Sequence, residues 1–134
     1  MKEAVEGSLN LDSHPSSSTT IQIKILEAAG GLHSIVAPAI IASSVACREA
    51  AINMNDEVIC MCISTDKSGD MTHFSGHVSS RESSSVAVAF KVRSRQVSFI
   101  DLIGKMSDAE AIEAVIHTAD SLVESMCTRL GISQ

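Results

Sequence analysis

Tryptophan and tyrosine are absent from this chain, and phenylalanine occurs only three times, as Phe74, Phe90 and Phe99. The core must therefore be built from aliphatic, methionine and cysteine side chains. Aromatic platforms on which single-stranded nucleic acids stack their bases are nearly missing. Positive charge is scarce as well: ten Lys and Arg against sixteen Asp and Glu leave a formal charge of -6. No run of basic residues offsets that charge locally, so a phosphate backbone is repelled and no nucleic-acid partner is expected. No apolar run reaches the roughly eighteen residues a membrane span requires, so no membrane partner is expected either. The start shows no charged n-region followed by an apolar h-region. Cys47, Cys60, Cys62 and Cys127 are scattered over helical and strand patterns rather than spaced as a disulfide framework. Free thiols in a reducing compartment follow, and the expected location is cytoplasmic. Glycine-rich phosphate loops, GxSxG and a paired HxE and CxxC are also lacking. No nucleophile, base and orienter are marked, so catalytic residues stay unassigned and enzymatic activity is left open.

What is present is a chain of 134 residues, 45% of them hydrophobic, which suffices for one domain with one core. Residues 1–18, rich in serine and without period, read as a mobile tail, leaving 19–134 as the domain. Ile21, Ile23 and Ile25 alternate with Gln22 and Lys24, the signal of a half-buried strand ended by Gly30 and Gly31, with a short helix as the competing reading. "PAIIASSVACREAAINMN" has a helical period, with Pro38 placed in the first turn. Val86, Val88, Phe90 and Val92 alternate, which favours a strand, although a helix over residues 85–92 stays open. Ser107 and Glu110 form a capping-box pattern before a helical stripe from Ile112 to Leu130, stopped by Gly131.

The segment "EVICMCISTDKSGDMTHFSGHV", residues 57 to 78, has two alternating runs around a polar turn and predicts a β-hairpin. A turn centred on Lys67 and Ser68 places Ile59, Met61, Ile63, Thr72 and Phe74 on one face, the expected core face. The other face then carries Val58, Cys60, Cys62, His73, Ser75 and His77, with Cys62 opposite His73 and Val58 opposite His77. Thiolate and imidazole are ligands for zinc, copper(I) or iron. Strand residues two apart project in parallel, about 7 Å apart, so a closed tetrahedral metal site is not expected. The cysteine face is predicted to be a covered interface or a ligand-lining surface. The overall expectation is an α+β fold, an antiparallel sheet with helices on one face. Because the second face is apolar, it is expected to be covered by a second chain or by the Ile21–Ile25 region, a homo-oligomer being the simplest cover.

Asp66, Gly69 and Phe74 in "STDKSGDMTHF", then Ser84 and Lys91 in "SSVAVAFK", follow an alanine-rich helix pattern. In this order residues 42–99 resemble the GlcG-like, haem-binding family with a profilin-like fold. The resemblance implies a profilin-like outline, haem as the ligand, an oligomeric habit, and a helix at residues 85–92 where the alternation favours a strand. On that basis His73 and His77 are candidate axial or propionate-contacting groups, with Cys60, Cys62 and Lys91 as further ligand-binding candidates. The leading expectation is thus a small-ligand-binding protein. The alternative is a protein-interaction module, an adaptor or chaperone-like homodimer that uses an apolar sheet face.

Overall fold

The computed structural model describes residues 2–13, 18–28, 31–65, 71–73 and 84–105, together with 109, 113, 124, 125, 128, 129 and 131. In chain order these form α1 (Lys2–Glu6), a 3-10 turn (Leu11–Ser13), α2 (Leu32–Glu49), β1 (Val58–Thr65), β2 (Met71–His73), β3 (Ser84–Lys91) and β4 (Val97–Ile103). The strands make one antiparallel sheet in the order β2-β1-β3-β4. This is the α+β architecture the sequence predicts, with the hairpin β1–β2 inside it.

Helix α2 starts earlier than the pattern suggested, at Leu32 rather than Pro38, so Pro38 lies in the second turn and removes one rung of the backbone ladder. Its C-terminal end is closed by the Ile52 N–H donating to the Cys47 carbonyl at 3.0 Å, while Ala51 takes the left-handed conformation (φ 53) usually given to glycine. Residues 85–92 resolve in favour of the alternation: 85–91 belong to β3, Val92 begins the following turn, and the helix implied by the family resemblance is not formed there. β4 extends the sheet by a further strand, after a register shift between Ala89 and Phe90. The segment with Ile21, Ile23 and Ile25 is not a strand. It is exposed, takes no regular secondary structure, bends at Leu26, and has no place in the sheet.

Helices α1 and α2 pack on the face that carries the cysteines. Ala4, Val5, Ala37 and Ile40 meet Val58, Cys60, Cys62, Ala87 and Ala89 in one buried cluster. The pairs Cys60–Ala89 and Cys62–Ala87 lie side by side across β1 and β3. Small side chains there let the helix backbone approach the sheet closely, which the bulkier Ile59, Met61 and Ile63 on the other face would prevent. The expected assignment of faces is therefore reversed: the cysteine face is under helices. Ile59, Met61, Ile63, Val86 and Val88 are buried too, so the two central strands are covered on both faces.

The N-terminal segment is not a free tail. Ala4 is 0% and Val5 4% exposed, and Leu9 forms a β-bridge with Met54. Of the final helical pattern, residues 109, 113, 124, 125, 128 and 129 are helical and exposed, and Gly131 has the φ of +65 of a helix stop. Ser107 and the apolar stripe lie outside the described residues.

Candidate functional site

The hairpin does not assemble the constellation expected from it. In the β1–β2 ladder His73 pairs with Ile63, not with Cys62. A shift of one residue in an antiparallel register exchanges which residues are neighbours on a face. His77 lies outside the described residues, as do Asp66, Gly69 and Phe74. Cys60 (0% exposed) and Cys62 (4%) sit in the core cluster between sheet and helices. Lys91 ends β3 opposite Val58, and its Nζ lies 3.9 Å from where a Cβ on Gly7 would stand, beside the end of α1. There a cation complements the carbonyl end of the short helix. Cys60, Cys62 and Lys91 thus belong to the interior and to the α1 contact, and they do not converge on one cavity. Among the described residues no group of three His, Cys, Asp or Glu side chains is placed to hold a metal ion.

Burial also sets the cysteine chemistry. Removal from water pushes the Cys60 thiol up to about 12, with the neighbouring Cys62 adding to the rise, and burial raises Cys62 and Cys47 as well. The thiolate is the reactive form. In a Cys127→Ser background at about pH 8, where an unfolded thiol of pKa about 8.5 reacts readily, all three thiols should resist a disulfide reagent until denaturant is added. Fast native labelling of Cys60 or Cys62 would show that the core is not closed over them.

The structure instead brings together three residues far apart in the chain. His33, in the first turn of α2, is fully buried and bridges β3 and β4. Its Nδ1 lies 2.8 Å from Ser85 Oγ and its Nε2 3.1 Å from Asp101 Oδ2. An ionised carboxylate only accepts, so Nε2–H donates to Asp101 and Nδ1 accepts the Ser85 hydroxyl. Serine, histidine and carboxylate are the types of a hydrolytic triad, but their access is inverted. Ser85 is 3% exposed, while the Asp101 side chain is 44% exposed. A nucleophile must reach its substrate, and this hydroxyl cannot. The trio is a clamp between helix and sheet.

A second polar group fixes the β3–β4 turn. Asp56 accepts the Arg93 and Ser94 backbone N–H groups and the Ser94 hydroxyl, each at 2.9 Å. Burial pushes its carboxyl up, but these bonds, with one from the Glu57 N–H, outweigh burial and hold it below the ordinary value. A depressed folded-state pKa adds stability that is present above the unfolded value of about 3.9 and is lost as pH falls through the folded one. Asp56→Asn keeps one acceptor oxygen and should cost about 1–2 kcal/mol at neutral pH. It should also flatten the fall in melting temperature below about pH 4. An unchanged acid limb in that variant would remove Asp56 from the account.

The open surface is apolar in two places. β4 is an edge strand, and among the described residues no strand pairs with its outer side. Val97 (52%), Ile100 (50%) and Ile103 (40%) are exposed along it. Residues 21–26 form the second patch, with Leu26 85% exposed. Beneath the start of this segment lies a cavity of about 560 Å³, lined among others by Val5, Leu9, Leu11, Ile21 and Ile23. Neither Cys60, Cys62 nor Lys91 is among its described lining residues. Nothing in the sequence spacing pointed to His33, Ser85 and Asp101, which lie 52 and 68 positions apart.

No family model and no curated protein matches the chain. Among solved structures, the chain is similar to the crystal structure of rice (Oryza sativa) Rrp46, with a TM-score of 0.74 at 18% identity. The match covers 98% of this chain and 61% of the rice chain, so this chain spans less than two thirds of that protein's length. A likeness at this identity is one of fold.

Among the described residues no helix is long and apolar enough to cross a membrane.

Proposed function

We propose that the chain is a protein-interaction module, an α+β subunit that works by binding other protein chains. The observation that carries this reading is the outer edge of β4. A free strand edge offers unpaired N–H and C=O groups, and proteins that remain single usually blunt it with lysine, proline or a cover. Here it presents Val97, Ile100 and Ile103, with Asp101 as its one charge. Edges of this kind accept an extended segment of a partner, with main-chain bonds giving affinity and alternate side chains giving specificity. The buried free thiols Cys47, Cys60 and Cys62 suit a reducing compartment, and the cytoplasm is the location we assign.

Ile100→Lys places a charge on the patch without touching the buried sheet. It should release protein chains that accompany the wild type through purification while leaving the circular dichroism spectrum unchanged. The same preparation separates this reading from haem binding. A Soret band at one equivalent per chain, with no accompanying protein, would overturn the proposal.

A further inference from the structure

The geometry points to a second copy of this chain as the occupant of the β4 edge, through its own residues 21–26. This rests on the interaction-module reading and adds the partner and the register. The segment "IQIKIL" forms neither helix nor strand, its residues are exposed, and no backbone–backbone hydrogen bond among the described residues ties it to the rest of the chain. It alternates like a strand and lacks only a neighbour. Drawn out as a strand at about 3.3 Å per residue, its six residues would span about 20 Å, close to the length of β4.

The two segments are complementary in charge and in pattern. Asp101 is the only charge within β4 and Lys24 the only charge within residues 21–26. Asp101 keeps a side chain 44% exposed beyond its bond to His33, and Lys24 is exposed. Antiparallel pairing, the mode of every ladder in this sheet, with Lys24 opposite Asp101 sets Ile23 opposite Leu102 and Ile25 opposite Ile100. In β4, Leu102 and Ile100 are paired with Val86 and Val88, on the face away from α1 and α2. The two isoleucines therefore extend that apolar face, while Lys24 and Asp101 meet on the helix side. A slip of one residue would put Lys24 against Ile100 or Leu102 and the isoleucines beside the carboxylate, so the charge pair fixes the register.

The test uses the full chain in sedimentation velocity over a concentration series. The wild type should associate reversibly above its mass of 14.1 kDa. Lys24→Glu sets two like charges opposite each other and should weaken association about tenfold, whereas Lys24→Arg should not. Mixing a chain carrying Ile25→Cys with one carrying Ile100→Cys should give a disulfide-linked pair under mild oxidation, and neither chain mixed with wild type should do so. Melting curves show that each variant is folded. A wild type that stays at single-chain mass throughout, or association indifferent to Lys24→Glu without that cross-link, would overturn the strand donation. The module reading fails separately, if Ile100→Lys neither weakens self-association nor releases an accompanying protein.

Discussion

Replacing His33 by alanine should lower stability by about 3 kcal/mol, the largest loss expected from any single side chain outside the apolar core. Two costs add. The imidazole is completely buried, so its removal leaves a void that close-packed neighbours fill only in part. The Ser85 hydroxyl, 3% exposed, then loses the acceptor 2.8 Å away, and an unsatisfied buried hydroxyl carries its own penalty. Asp101, 44% exposed, turns to water and contributes less. His33→Gln reaches part of the same hydrogen-bonding space and should recover some of the loss. For a chain of this size 3 kcal/mol corresponds to a fall of about 10 °C in melting temperature. A calorimetric melt of His33→Ala within about 2 °C of wild type would mean that the clamp holds nothing.

The second large effect concerns the N-terminus. Deleting residues 1–13 should destabilise the domain by about 4 kcal/mol. Ala4 and Val5 are buried against Ala37, Ile40 and the small face of the sheet, with Leu9 packed at the margin. The segment is also bonded to the loop before β1: the Asn10 N–H donates to Asn53 and the Asn55 N–H to Ser8, at 2.9 and 2.8 Å. Its loss would expose Cys60 and Cys62 from the helix side, so the truncated chain should also label at those thiols under native conditions. A truncated protein with wild-type melting temperature and silent thiols would restore the picture of a free tail.

Alternation along β1 and β3 was enough to locate two central strands, because a period of two is a property of the local sequence. The same alternation could not tell which face the helices cover. Both faces of β1 are apolar, and the deciding quantity is side-chain size: Cys60, Cys62, Ala87 and Ala89 leave room for α2, a fact visible only once β1 and β3 are paired. The hairpin register depended on where the turn was centred, and a shift of one residue was enough to separate His73 from Cys62. Helix α1 has five residues, too few to show a period. The clamp of His33, Ser85 and Asp101 was illegible for a different reason: three elements distant in sequence must be packed before their polar atoms meet. Ile21, Ile23 and Ile25 gave a true strand-like pattern, but pairing depends on a neighbour, and within the described residues the chain supplies none.

Amide hydrogen exchange along β4 tests the central claim most directly. The claim is that the outer edge of this strand is open in the separate chain and is covered by another protein in the working state. In dilute solution the outward-pointing amides between Val97 and Ile103 should exchange far faster than those of β1 and β3. When the chain is associated they should become protected, while β1 and β3 change little. Outward β4 amides that are already as slow as β3 in the dilute single chain, or that stay fast in the associated state, would contradict the account.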